Sequence, residues 1–519
     1  MILRYTVEVI KDGNEYVDPT IVETEIPDEE EYIDGSNFME VFGKAERNGI
    51  PARNEAANTA IGKYLNAVGA KKKTMNERAD SVCTAKKDAS MCSEFGDIAV
   101  NVYQIKEDNK VVFNSNGGFV PPYVTNEHLT TLCFNELLLY AVAATSMRVG
   151  AEMINRYLHL DGSAAISART LANKTEREGQ RLNNAIENES ASVLAAHDFN
   201  TETGLPNRVS DVKEALKGQN AQGIAQEAVL SAIEKHNKTA CAEAQIDEKQ
   251  TAELLETPFE DASSTTSVFA DDILVSKQKE TGREKNPAPS SKHWVVDTVI
   301  QIQNLVGTYT MVGSDMPTVF LWLTAFLLAN NLLENKMLVF FTDGARNIKN
   351  NIQNMFGWRQ YTIILDWYHL QKKCGEYLSM ALKGITIRKA VWANLGRLLW
   401  IGQVDKAIAY LRSVGQESIK NVDYIEAVIA YLEKNKEFIP CYAIRKRLGL
   451  RNSSNPVETS NNIVVAKRQK ANGMSWSKKG SVSIANISAV IANKGLESWV
   501  TNRDIGFRLV GREEQNKAA

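Results

Sequence analysis

Apolar residues change their spacing several times along this chain, and the changes mark out its elements. Residues 2–10 and 20–26 alternate between apolar and polar, the two-residue period of a half-buried strand. An acidic patch follows at 28–31, and 39–68 carries helical spacing broken at Gly49-Ile50-Pro51. Residues 93–123 predict a hairpin turning at Glu107-Asp108-Asn109 and ended by Pro121-Pro122. From 130 to 195 the pattern is helical: 134–144 is apolar, 148–158 is amphipathic, and His159-Leu160-Asp161-Gly162 makes a turn. Ser167 is placed to cap a long polar helix over 168–186. Residues 212–236 predict another helix, and the acidic, polar stretch 246–266 a linker.

At Ser267 the character changes. Residues 268–275, 294–303 and 307–312 predict three strands in succession, with a polar loop over 277–291 and an apolar helix over 317–333. Two fully apolar runs follow, 337–342 ending on Asp343-Gly344 and 361–365 ending on Asp366, joined by a helix over 346–356. Short, wholly apolar runs joined by a helix mark buried parallel strands with a crossover, and ligands of such sheets sit at the carboxyl ends of the strands. A meander followed by βαβ units is the layout of the RNase H-like fold. Residues 376–442 are helical throughout. A helix capped by Ser454 or Asn455, with Pro456 in its first turn, runs to about 470, and 484–493 forms a last helix or strand. The fold class expected is α/β: an RNase H-like core interrupted by an all-helical insertion and preceded by α+β and helical DNA-binding regions. The divisions expected are an N-terminal α+β domain (1–125), a helical, helix-turn-helix-like domain (126–245), a linker (246–266), the opening segment of the RNase H-like core (267–373), the helical insertion (374–450), and the closing segment of the core with the C-terminal tail (451–519).

The totals sharpen this picture. A chain of 519 residues is too long for one core. No apolar run reaches membrane-spanning length, and the N-terminus lacks a signal-peptide core, so a cytoplasmic protein with no membrane partner is expected. The 6 cysteines are scattered with no CxxC pair, which speaks for reduced thiols and against a zinc site. Net charge is only −3, yet between Arg445 and Gly480 nine basic residues face a single acid, Glu458. Such a local surplus is an electrostatic footprint for a phosphate backbone, with Arg451, Lys467, Arg468, Lys470, Lys478 and Lys479 as candidate contacts. Trp476 beside them could stack on an unpaired base or belong to the core. Helix, glycine turn and capped polar helix outline a helix-turn-helix with Arg169, Asn173 and Lys174 facing DNA, and the outline fits an ordinary helical hairpin equally.

Three acids stand out: Asp271 (or its neighbour Asp272), Asp343 and Glu458. Carboxylates converging from separate elements are what magnesium or manganese needs, and two such ions roughly 3.5–4 Å apart can activate an attacking oxygen and steady the departing one at a phosphodiester. Each acid has a structural alternative. Asp343 or Thr342 could cap the helix after it, Glu458 could close a capping box, and Asp271 and Asp272 could be edge-strand charges. Their combination in this order is what favours a metal site.

Thr342-Asp343-Gly344-Ala345, Asp366-Trp367-Tyr368-His369, Asn455-Pro456-Val457-Glu458 and Gly473-Met474-Ser475-Trp476-Ser477-Lys478-Lys479-Gly480, with Arg468, resemble the bacterial insertion-sequence DDE transposases, which are similar to the Mutator-like superfamily. The resemblance covers 265–485 well and residues 1–90 hardly at all. It implies Asp271, Asp343 and Glu458 as catalytic metal ligands, with Asp272 where glycine is often found, and His369 beside the metal helping to place the phosphate or leaving group. It also implies two Mg²⁺ or Mn²⁺ ions, double-stranded DNA at transposon ends and target, strand transfer, and a homodimer or larger homo-oligomer. An RNase H-like nuclease or resolvase without strand transfer, and a domesticated DNA-binding protein without catalysis, are the competing expectations.

Overall fold

The computed structural model of the chain describes residues 1–28, 38–76, 82–107, 110–114, 129–160, 165–208, 223–278, 293–335, 337–470 and 474–511. It divides into two units, one formed by 1–175 with 500–502 and the other by 176–499 with 503–519.

The first unit opens on a hairpin of β1 (Ile2–Lys11) and β2 (Asn14–Glu25). Asp12 and Gly13 turn it with φ of 54° and 80°, the left-handed pair that suits a tight hairpin. α1 (Phe38–Asn76) packs on both strands. It runs straight through Pro51, so the break expected at Gly49 is not there. Burial of Ala52, Ala56 and Ala60 outweighs the lost amide. Gly49 has its own reason: a Cβ there would lie 3.0 Å from the Tyr5 hydroxyl. β3 (Val82–Ser93), β4 (Gly96–Glu107), β5 (Lys110–Asn114) and β6 (Leu129–Thr130) make a four-stranded sheet in the order β5-β4-β3-β6. The expected hairpin thus gains β3, and its segments 108–109 and 115–123 lie outside the described residues. α2 (Leu132–Ala144) and α3 (Met147–Leu158) are capped by Thr131 and Ser146. α4 (Ala168–Ala196) is capped as expected, the Ser167 hydroxyl accepting from the Thr170 amide at 3.0 Å. Residues 161–164 of the intervening turn lie outside the described residues.

In the second unit, α5 (Gln226–Asn237) covers the later portion of the helix expected from 212, of which residues up to 222 are not described. The stretch read as a linker is packed structure. Asp247 caps α6 (Glu248–Glu256), Gln250 and Leu254 are buried, and the Gln250 amide reaches the Ile401 carbonyl. Phe259 and Glu260 are buried as well.

Then come β7 (Thr265–Ser276), β8 (Trp294–Gln303), β9 (Gly307–Gly313), α7 (Met316–Ala329), β10 (Met337–Thr342), α8 (Arg346–Phe356) and β11 (Tyr361–Leu365). The polar loop expected over 277–291 falls mostly on 279–292, outside the described residues. Five helices follow, covering the stretch 376–442 expected to be helical: α9 (Trp367–Ala381), α10 (Gly384–Trp400), α11 (Val404–Arg412), α12 (Val422–Asn435) and α13 (Tyr442–Arg447). α14 (Asn455–Asn461) passes into a π-helical turn, Asn462–Ala466. The last expected element is a helix, α15 (Lys478–Ala492), and beyond it lie α16 (Leu496–Asn502) and β12 (Val510–Gly511).

The sheet is mixed, ordered β11-β10-β7-β8-β9-β12. β11, β10 and β7 are parallel, while β8, β9 and β12 pair antiparallel in turn. Gly307 sits where β12 crosses; a Cβ would strike the Val510 carbonyl. α7 packs on β8 and β9, with Phe356 of α8 against Phe340. Phe269 and Phe341 stack at 4.8 Å in the core shared with α9, α12, α14 and α15.

Candidate active site

Period two decides which side chains can meet. Phe269 and Phe341 are a paired rung of β7 and β10, and Phe341 pairs with Ile364 of β11. Two residues beyond each of these lie Asp271, Asp343 and Asp366, so the three acids follow the same row on one face. Asp343 and Asp366 stand at the carboxyl ends of their strands; Asp271 is mid-strand because β8 keeps pairing β7 beyond it.

Asp271 and Asp272 therefore point apart. Asp272 accepts from the Thr298 hydroxyl at 2.6 Å and from Asn347 Nδ2 at 2.8 Å. Asp271 Oδ1 accepts its neighbour's amide at 2.9 Å, and Oδ2 accepts from Asn461 Nδ2 at 2.7 Å. Burial, and then the negative charge of Asp343, push its carboxyl up to about 6, against a smaller opposing pull from His369.

Asp343 Oδ1 accepts the Ala345 amide at 2.7 Å, and the Thr342 hydroxyl accepts that of Gly344 at 3.1 Å. Neither caps α8, whose N-cap position is Ala345, a residue with no side chain that could make a cap bond. Gly344 has φ of 91°, and a Cβ there would come within 2.9 Å of Leu365.

Asp366 is the hub that the sequence left undefined. It is wholly buried. Oδ1 accepts the His369 amide at 2.8 Å and so caps α9; Oδ2 accepts both the Ser454 hydroxyl, at 2.9 Å, and the Ser454 amide. Burial opposes its charge, but the bonds from His369 and Ser454 hold the carboxyl below its usual range. Ser454, one of the two residues expected to cap α14, makes no cap bond there and is spent on Asp366 instead, while Asn455 is the first residue of the helix. The Trp367 amide also donates to the Asn452 carbonyl at 3.0 Å. The end of β11 is thereby fastened to the start of the helix that carries Glu458.

His369 Nδ1 lies 3.2 Å from Asp366 Oδ1, close enough for an ion pair though not aligned as a hydrogen bond. Nε2 lies 3.8 Å from Glu458 Oε1. Asp366 raises the imidazole above its ordinary range, burial opposes this, and Asp343 and Glu458 add to the rise. His369 is thus the element that all these acids share.

Asp271, Asp343 and Glu458 offer only carboxylate oxygens, the hard donors that magnesium and manganese favour. A cation would offset both the burial and the Asp343 repulsion that lift Asp271. Among the described residues, no three His, Cys, Asp or Glu side chains form a group that could close on an ion as they stand. Glu458, with 45 % of its side chain exposed, is turned to His369.

The basic stretch divides. Arg451, Lys467, Lys470, Lys478 and Lys479 are exposed. Arg468 is buried, its guanidinium 4.9 Å from the centre of the Trp476 ring and lowered to about 10 by burial. Trp476 donates through Nε1 to the Gln469 carbonyl at 3.1 Å, and its amide donates to Ser276 at the end of β7. These two, expected among the DNA contacts, are turned to each other. Arg445 is buried against Glu260 in a two-pronged ion pair. Arg169 and Asn173 are exposed on α4, while Lys174 is half-buried and donates to the Thr130 hydroxyl.

No known protein family matches the chain, and no curated protein matches it. No helix among the described residues is long and apolar enough to cross a membrane.

Proposed function

We propose that this chain is a DDE transposase with an RNase H-like core, in which residues 374–450 are a helical insertion between the second and third acids. The observation that carries the reading is the row formed by Asp271 and Asp343 on one sheet face, with His369 reaching from it to Glu458 across an 89-residue separation in sequence. Asp271, Asp343 and Glu458 would hold two Mg²⁺ or Mn²⁺ ions, which when bound supply activation of a water or 3′-hydroxyl and polarisation of the phosphodiester. Asp366 fixes the His369 ring and the root of α14 together. His369, raised towards its charged form, offers a proton and a positive edge to a phosphate oxygen or leaving group. Glu458 would complete the ligand set by turning from His369 towards Asp343. Exposed Lys467, Lys470, Lys478 and Lys479 lie along the chain near Glu458, suited to a phosphate backbone. Double-stranded transposon ends and target DNA are the partners, with a dimer or larger assembly holding paired ends.

The test uses duplexes taken from the DNA on either side of the gene, incubated with the full chain and Mg²⁺. Cleavage at the ends and joining of pre-cleaved 3′-ends are expected. Asp343→Asn should bind the same DNA and melt at the same temperature but cleave only at background. Retained cleavage removes Asp343 from the mechanism; cleavage without joining leaves a nuclease; no cleavage by the wild type leaves a DNA-binding protein.

A further inference from the structure

We propose that Asn461 is a positioning residue for the first carboxylate, so that one short helix both supplies an acid and holds another. The inference rests on the metal-site reading above. Asn461 stands three residues after Glu458 on α14, the spacing that puts two side chains on neighbouring positions of one helix face. Its Nδ2 donates to Asp271 Oδ2 at 2.7 Å across 190 residues of sequence. The Asp272 amide takes the other oxygen at 2.9 Å, so both oxygens of the carboxylate are restrained.

Packing alone does not account for Asn461. The residue is 7 % exposed, and its Oδ1 has no hydrogen-bond partner, a cost that a buried apolar residue would avoid. The π-helical turn Asn462–Ala466 begins at the next residue, and such turns insert an extra residue that re-aims the side chains around them. Val464 and Val465 of that turn are buried in the core, so the turn is anchored below the site. Ser460 adds a second tie, its hydroxyl 3.4 Å from that of Thr310 on β9. The amide of Asn461 is thereby delivered to β7 from a fixed base, and the spacing between Asp271 and Glu458 is set by one rigid piece of backbone. Loss of a group that orients a ligand carboxylate typically lowers metal affinity by about 10- to 100-fold.

The experiment titrates Mn²⁺ into the full chain and reads free ion by electron paramagnetic resonance, beside a thermal melt of each variant. Wild type should bind Mn²⁺, Asp271→Ala should not, and Asn461→Ala should bind roughly 10- to 100-fold more weakly while still melting cooperatively. Asn461→Leu, which keeps the volume and removes the donor, should weaken binding to the same degree and serves where the alanine variant does not fold. Wild-type Mn²⁺ affinity in a folded Asn461 variant, with only the melting temperature lowered, would make the residue structural and overturn the proposal. Absence of Mn²⁺ binding by the wild type would instead sink the metal site itself and this inference with it.

Discussion

Asp271 and Asp272 are neighbours with opposite surroundings, because a strand sends successive side chains to opposite faces. The sequence could not separate them: β7 is buried on both faces, so its apolar residues do not alternate and the parity of the acids is hidden. A third acid, Asp297 on β8, has no motif around it to mark it, yet it is wholly buried with Oδ1 unpartnered. Its Oδ2 meets the Ser481 hydroxyl, which also lies 2.6 Å from Gln469 Oε1. One hydroxyl proton cannot serve two acceptors, so the arrangement is best satisfied when Asp297 is itself protonated. Burial accordingly pushes its carboxyl up to about 6, against the pull of Ser481. A folded-state value above the unfolded one means that the folded chain holds the extra proton between about pH 4 and 6, and stability falls as pH rises through that window. Asp297→Asn should therefore be more stable than wild type at pH 7 by as much as about 3 kcal/mol, the gain fading below pH 4. Urea unfolding at pH 4, 5.5 and 7 reads it, and a pH-independent difference would contradict it.

Among elements, those with an unambiguous period were legible. Residues 294–303, 337–342, 346–356 and 361–365 lie where the spacing puts them, and so does the long helical stretch after α9. The elements that were missed owe their form to distant packing or to weak local signals. α1 passes Pro51 because its alanine face is buried on strands, α6 is concealed by its polar composition, and β12 is too short to show a period. The Asp12-Gly13 turn, by contrast, carries a local signal in its own two residues. In the site, Asp-x-x-His is visible in the sequence, but Ser454 as its partner is not, because the contact spans 88 residues. That contact ties α9 to the root of α14. Ser454→Ala removes a hydrogen bond to a buried charge, a loss of about 1.5–3 kcal/mol. On the transposase reading it should slow Mg²⁺-dependent cleavage while leaving DNA binding unchanged. Equal cleavage rates for variant and wild type would show that the tie does not reach the chemistry.

Across the whole molecule, charge proved a poor guide to surface. Nine basic residues between 445 and 480 make a local surplus of charge, yet Arg445 and Arg468 are buried and Arg447 is bonded to Thr239. Arg445 in particular pairs with Glu260, 185 residues earlier, and also donates to the Arg451 carbonyl at 2.8 Å. Removing one partner strands the other in the interior, so Glu260→Ala should cost about 3–5 kcal/mol, measured by urea unfolding. A loss below about 1 kcal/mol, the range of an exposed pair, would mean that water reaches the guanidinium.

The long reach of Asp366 to Ser454 and of Asp271 to Asn461 also has a temporal side. During synthesis the ribosome releases the first two acids well before the residues that hold and complete them. A nascent chain cannot assemble this cluster until residue 461 and the turn behind it have emerged.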